Sequence, residues 1–498
     1  MFNEECSTCA KILALPLIRP SDDKLHWSVW LCILPLGSAT LLRDGVYPHE
    51  SQMHFALRTF AVDIEGNGEF YKMWSDKSHL RRVRVATVDG DIAAHLTNLP
   101  VLRPLGSSTA SVESYECARR WIQNCISFTQ SPYRLPPISP ALVPLRLVEV
   151  GQSVTLGGHN ALRLRDTSDL QEAQYATLSY SWGKGSAQWK TQHANLARRQ
   201  SSMTDIVLPA TLRNATAIAH ELGVGYLWID SLCIVQDDTQ EWTSEAAKMG
   251  DIYKHGLFNI AANIGEDCHT GCFNTRSASR LTSYQKRCIL PSRLENGQTS
   301  RLLLYEDNDL AEDQRIQEFT NGPLAQRAWV CQERLLSPRI LYYSKSQLFW
   351  ECQHCVLAED GLPVGGPRED DARLLRNLLR NEKSLLKERN WERLWYESLV
   401  KQQYSRGMLT RGSDKLIALS GLARAFSSYK RSSYMAGLWE DSLVYGLQWY
   451  RIHSTGSKSQ TNRAPSWSWA SQDGPVEYMW DSYSKDIVKQ FGVIALGM

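Results

Sequence analysis

The sequence predicts an α/β fold, a doubly wound, mostly parallel sheet with mixed α+β regions on its N-terminal and C-terminal sides. Three observations carry that expectation. In the stretch 208–238, Leu212, Ala215, Ala219 and Leu222 recur at helical spacing and turn one apolar stripe toward a core. Gly223 and Gly225 stop that helix, and residues 226–229 follow as a short unbroken apolar run, the pattern of a strand buried on both faces. The flanks repeat the alternation: YATLSY at 175–180 reads as an earlier strand, LFNIAA at 257–262 as a later one, and a helix at about 241–253 precedes the latter.

In chain order, the 498 residues give room for about three domains, and 43% hydrophobic content is ample for sizeable cores. Residues 1–130 read as an accessory α+β region, with strands near 53–62 and 80–87 and a helix at 111–125. The opening MFNEECSTCAK has no basic segment followed by an apolar core, so a cytoplasmic protein is expected. The apolar run 27–36 is too short to span a bilayer. Twelve cysteines are scattered without a framework and are expected to stay reduced. Cys6 and Cys9 have half of a zinc-site spacing; His26 and Cys32 are the nearest further ligands, and with no second paired motif no metal is expected. The stretch 131–144, SPYRLPPISPALVP, holds five prolines and reads as an extended linker. The α/β core then occupies 145–355, and 356–498 reads as a helical/β region packing on it, with helices at 414–426 and 435–449 and a strand at 466–469. Seventeen tryptophans are many for this length, and periodicity places most of them on core faces. Fifty-five basic against 53 acidic residues, a formal charge of +2, argues against a nucleic-acid or membrane footprint.

Chemistry is expected beyond the carboxyl ends of the parallel strands, where open sheets bind ligands. Asp230, Cys233, Gln236 and Asp237 occupy that place after the 226–229 strand, although an aspartate there also suits a turn or a helix cap. The loop Tyr180-Ser181-Trp182-Gly183-Lys184-Gly185 has neither the Rossmann glycine interval nor the P-loop spacing. It has room for a ligand all the same, with Tyr180 or Trp182 stacking on a flat ring; as core fillers the same aromatics need no ligand. On the 241–253 helix, Glu245 falls within the apolar arc of Trp242, Ala246, Met249, Ile252 and Tyr253, so it is either a tuned carboxylate or a structurally paired one. A further helix at 324–336 sets Trp329 and Glu333 on one face, ends at Ser337-Pro338 and leads into a hairpin of 339–343 and 347–352. Arg327, Gln332, Glu333 and Arg339 supply two cations and two acceptors, suited to clamping a phosphate or to closing an internal salt-bridge lattice. Cys233 or Cys331 with His220 or His255 lies in no nucleophile motif, and no HExxH zinc motif occurs.

YATLSYSWG, LWIDSLCIVQDD, EWTSEAAKMGDIYKHGLFNIAAN and GPLAQRAWVCQERLLSPRILYYSKSQLFWEC, in that order, resemble the heterokaryon-incompatibility (HET) domain of filamentous fungi. LTRGSDKLIALSGLARAF, YMAGLWEDSLVYGLQW and APSWSWAS resemble the C-terminal half of long members, so the likeness spans about 140–475. Long members often carry a Cys and His cluster near the equivalent of 121–125; here Thr129 and Pro132 stand where histidine and cysteine are expected. The resemblance implies a role in non-self recognition and programmed cell death after hyphal fusion. It also implies distant similarity to Toll/interleukin-receptor (TIR) domains, some of which cleave NAD. On that likeness Trp242-x2-Glu245 has the form of the TIR catalytic glutamate; Glu333, from the cluster with Arg327, is the second-tier catalytic candidate. Asp230, Gln236, Asp237, Tyr180, Trp182 and Arg327 would then hold the substrate, NAD. The alternative is a non-enzymatic signalling or scaffold module that self-associates or binds a protein partner.

Overall fold

The computed structural model describes residues 54–56, 82–94, 101–127, 143–154, 160–183, 189–276, 288–293, 299–307, 315–364, 375–379, 391–427, 432–451 and 462–479, apart from a few positions inside these ranges. Cys6, Cys9, His26, Cys32, Thr129 and most of the proline-rich stretch 131–144 lie outside the described residues. The chain divides into two compact units that do not follow linear order. The smaller gathers 1–111, 275–316 and 357–367; the larger gathers 112–274, 317–356 and 368–498. The helix expected near 111–125 thus belongs with the larger unit, and 275–316 leaves it for the smaller.

The smaller unit is built on a sheet of His54–Ala56, Arg82–Val88, Thr299–Asp307 and Cys288–Arg293, with Val101–Leu102 running parallel beside Arg82–Val88. Arg276 pairs with Glu359 inside it and donates to Gly106 O at 2.8 Å. Gly361 has φ +78°, and a Cβ there would meet Val101 O at 1.9 Å, so no larger residue fits that turn.

The larger unit is organised by one eight-stranded sheet. In chain order its elements are helix α1 (Val112–Ser127), strands β1 (Arg146–Val154), β2 (Asn160–Asp166) and β3 (Tyr175–Ser179), helices α2 (His193–Ser201) and α3 (Ala210–Glu221), and strand β4 (Tyr226–Trp228). Then come the single turn α4 (Asp230–Cys233), helix α5 (Thr239–His255), strand β5 (Asn259–Ala262), helix α6 (Ala328–Leu336), strands β6 (Arg339–Tyr343), β7 (Leu348–Cys352) and β8 (Val356–Ala358), and helix α7 (Ile417–Ser427). The strand order is β8-β7-β6-β5-β3-β4-β1-β2. The centre β6-β5-β3-β4 is parallel, whereas β1 pairs antiparallel with β4, and β7 antiparallel with β6. Every residue of β3, β5 and β6 is buried, as expected for parallel strands covered on both faces. β3 lies between β4 and β5, so the chain leaves β3 first to one side and later to the other. That reversal marks the carboxyl end of β3 as the place where open sheets form a ligand crevice.

Helix α5 starts where the Asp238 carboxylate accepts from the Gln240 and Glu241 amides, both at 2.9 Å. It buries Glu245, Ala246, Met249, Ile252 and Tyr253 of the expected arc, leaves Trp242 of that arc half-buried, and crosses α7 at Gly250 and Gly421. A Cβ on Gly250 would lie 2.9 Å from the Gly421 Cα, so the two backbones approach too closely for side chains. The C-terminal region departs from its expected elements. In place of a helix at 435–449 the chain makes strands Tyr434–Met435 and Leu438–Trp439, a short helix Leu443–Gly446 and strand Trp449–Arg451. Gly437, at φ +99° against the Trp469 ring, forces that break. The alternating Ser466-Trp467-Ser468-Trp469 forms a turn capped by Ser468, because its hydroxyl accepts from the Ala470 amide at 3.0 Å. Among the described residues, Trp121, Trp189, Trp228, Trp350, Trp395, Trp439 and Trp469 are buried in the core while Trp467 is exposed, and Trp395 meets Trp439 and Phe426 edge-on, with centroids 5.2 and 5.0 Å apart.

Candidate functional site

The polar residues of the larger unit converge at the crevice beyond β3. Ser179, the last residue of β3, donates its hydroxyl to Glu333 on α6. It accepts in turn from Asn259 Nδ2 at 2.8 Å, and Asn259 Oδ1 accepts from Thr177 at 3.0 Å. A hydrogen-bonded line therefore runs through β3 and β5 to one carboxyl group. Glu333 is 5% exposed, and burial raises its pKa from 4.5 to about 7; the Asp230 carboxylate adds to the rise, while Arg327 and Ser179 oppose it.

Asp230 follows β4 on the neighbouring side. It is half-buried, and the Trp182 indole N–H donates to its Oδ2 at 3.1 Å and its Oδ1 at 3.3 Å. The Ser231 amide donates to Oδ1 at 2.7 Å. Desolvation raises the Asp230 pKa, against the pull of Arg327 and these donors. Arg327, the residue that opens α6, donates to the Tyr180 carbonyl and acts electrostatically on both Asp230 and Glu333. Trp182, Asp230 and Arg327 keep partial exposure, which makes them the open side of the cluster.

The other expected residues fall in different places. Tyr180 is 2% exposed and its hydroxyl donates to Ser231 Oγ at 2.6 Å, so its ring packs inside the protein and offers no face for stacking. Trp182 carries the Lys190 ammonium 4.3 Å from its ring centroid and meets Trp189 edge-on. Gln236 ties the loop after β4 by donating to the Asp230 and Ile234 carbonyls, both at 3.1 Å. Asp237 accepts from the His193 amide at 3.0 Å and so holds the start of α2. Glu245 is fully buried on α5, with Lys248 Nζ at 2.9 Å on Oε1 and the Leu145 amide at 3.1 Å on Oε2.

The four residues read as a clamp or a lattice divide. Arg327 and Glu333 join the crevice, Gln332 accepts from the Gly421 amide at 2.8 Å, and Arg339 donates to Cys125 Sγ at 3.3 Å and Leu257 O at 3.2 Å. The lattice is made instead by Glu351, held by Arg334 and Arg376. Burial pushes the Cys233 and Cys331 thiols up to about 12, away from the thiolate that a nucleophile needs. Among the described residues, no group of three or more His, Cys, Asp or Glu is placed to hold a metal ion, and no helix is long and apolar enough to cross a membrane. A groove lined by Gln174, Gly223, Val224, Gly225, Tyr226 and Leu257 lies at the amino ends of β3 and β4, away from these carboxylates.

Ser179, Ser231, Asn259 and Thr177 were not among the expected site residues. Their signal was present: Ser179 and Asn259 are polar residues inside YATLSY and LFNIAA, runs otherwise buried on both faces, where an unpaired polar group is costly.

Fold and cluster together define an α/β domain with a polar site at the topological switch of its parallel strands. The family described as heterokaryon incompatibility protein (HET) matches residues 175–333, from the first residue of β3 to Glu333 itself. Over residues 175–333 the match bears out the resemblance to the HET domain. Neither the comparison with curated proteins nor that with solved structures gives a match.

Proposed function

We propose that this chain is a fungal effector of heterokaryon incompatibility, acting in non-self recognition that ends in programmed cell death, and that its working site is the crevice of Asp230, Arg327 and Glu333. The reaction proposed is hydrolysis of NAD between ribose and nicotinamide. One observation carries it: a buried glutamate with a pKa of about 7 stands near a second carboxylate and a single arginine, beside a strand end where open sheets bind ligands. Nicotinamide leaves as a neutral molecule and needs no proton. The demands are a negative group facing the ribose as positive charge grows there, and a base for the attacking water. Asp230 suits the first and Glu333 the second, while Arg327 and Lys190 suit the phosphates. Glu245, the carboxylate that the TIR resemblance singles out, is the competing candidate for the first role.

A second reading, a module that signals by self-association or by binding a protein partner, is favoured by the closure of Glu333 and Glu245, 5% and 0% exposed. Nicotinamide release by the concentrated full chain decides between them, with Asp230→Asn, Glu333→Gln and Glu245→Gln assayed in parallel. The crevice reading expects release that falls at least about 100-fold in the first two and stays within about threefold in the third, the usual scale for losing an acid–base group. Loss in Glu245→Gln alone would return the catalytic role to α5. Absence of release from folded wild type would leave the binding module.

A further inference from the structure

Near the β8 edge of the sheet, Cys352 lies against two other thiols. Cys352 ends β7, Cys355 begins the return toward β8, and the Cys352 amide donates to the Cys355 carbonyl at 3.0 Å. Their sulfurs are 3.6 Å apart. Residues directly opposite in a hydrogen-bonded antiparallel pair have Cα atoms about 5.5 Å apart, inside the span that a disulfide bridges. Cys125 of α1 approaches Cys352 from the side, its thiol engaged with that sulfur and with the Arg339 guanidinium at 3.3 Å. Arg339 is the register partner of Cys352 across β6 and β7, and Trp121 of α1 packs on Trp350, centroids 6.4 Å apart, so the three thiols are held by rigid elements.

The three sulfurs are not equivalent. Cys352 is 2% exposed and Cys355 is half-buried, so an oxidant in solution reaches Cys355 first. Its bond to Cys352 and burial raise the Cys125 pKa and favour the thiol.

We propose that Cys352 and Cys355 are a reversible oxidation site that forms a disulfide with hydrogen peroxide. The Cys355 thiolate attacks one peroxide oxygen; the O–O bond breaks, the departing hydroxide takes a proton to become water, and Cys355 becomes a sulfenic acid. The Cys352 thiolate, its proton released to solvent, attacks that sulfur. The S–S bond forms, the S–O bond breaks, and the hydroxide leaves as a second water. Two thiols have lost two electrons to the peroxide, and a dithiol reductant returns them by exchange. Cys125 then loses its thiol partner, so oxidation at the hairpin changes what α1 is tied to.

The test treats the full chain with a few equivalents of hydrogen peroxide, blocks remaining thiols with N-ethylmaleimide, digests without reduction and reads the peptides by mass spectrometry. The expected peptide with Cys352 and Cys355 lacks two hydrogens, takes up no maleimide, and regains both thiols on dithiothreitol treatment. Cys125→Ser keeps that bond; Cys355→Ser abolishes it and leaves Cys352 open to maleimide. Maleimide on both cysteines of wild type after peroxide, a bond from Cys352 to Cys125 in place of Cys355, or irreversible sulfinic acid at Cys355 would each overturn the proposal. Near-ultraviolet circular dichroism identical to wild type certifies that the variants are folded.

Discussion

Glu333 and Glu351 lie on one short segment of chain, both almost fully buried, and they differ in proton affinity by a wide margin. Glu333 is raised to about 7, Glu351 lowered to about 2. Desolvation pushes both upward, so burial is not the difference. The difference is the number of cations at hand. Glu351 takes the Arg334 fork at 3.2 and 3.1 Å, Arg376 at 3.0 Å and the Tyr342 hydroxyl at 2.7 Å, so each of its oxygens is satisfied by charge or hydrogen bond. Glu333 has one arginine to share with Asp230. A carboxylate surrounded by cations serves as a fixed tie. One left partly uncompensated can change its charge near neutral pH, and that is the kind an acid–base reaction uses.

The sharpest way to break this contrast is Glu351→Ala. It strands Arg334 and Arg376 beside an empty space, and removing one partner of a buried ion cluster costs about 3–5 kcal/mol. Urea unfolding at pH 7 measures it; a loss below about 1 kcal/mol would mean that the lattice contributes little. Next in size is the pH response of Glu333. Its folded pKa lies above the unfolded value of 4.5, so the fold favours the protonated form. Stability from this group is therefore full below 4.5 and declines as pH rises through about 7. At about 1.4 kcal/mol for each tenfold change in proton affinity, the decline approaches roughly 3 kcal/mol. Glu333→Gln should flatten that slope, and an unchanged slope between pH 5 and 8 would place its source elsewhere. Glu351 behaves with the opposite sign: depressed to about 2, it stabilises above 4.5 and loses that contribution as pH falls toward 2. The smallest effect is expected at Glu245, whose ammonium partner Lys248 keeps some solvent contact. Glu245→Gln preserves an acceptor for the Leu145 amide and should cost about 1–2 kcal/mol. A loss as large as that of Glu351→Ala would show that Glu245 holds more of the unit together than its two partners indicate.

The parallel centre of the sheet was legible because each strand is a short apolar run punctuated by glycine or by a polar strand end, as at Gly223, Gly225 and Asp230. Helices α3, α5 and α6 followed from periodicity and caps. Position after a strand also marked Asp230 and Trp182. What the sequence does not expose is which partner a charge takes. Glu245, Glu333 and Glu351 all sit on or beside apolar faces, and only the folded chain assigns Lys248 to one, Ser179 and Arg327 to another, and two arginines to the third. Arg376 lies in a charged stretch, REDDARLLRN at 368–377, yet it is fully buried against Glu351 and the Ser337 carbonyl. The 435–449 segment misled because its apolar residues fit a helix, while Gly437 and its contact with Trp469 impose a turn that only tertiary packing reveals.

The bond between Ser179 and Glu333 closes a separation of 154 positions. A ribosome adding about 5–20 residues each second therefore needs on the order of ten seconds after making Ser179 before Glu333 exists. During that interval the nascent chain owns β3, β4 and Asp230 without the helix that supplies Arg327 and Glu333. A fragment released early, or a transcript cut short before α6, carries most of the sheet's parallel centre and only half of its charged crevice. Vectorial synthesis thus acts as a timer, and the chain acquires its complete set of carboxylates only after most of the HET domain has already been made.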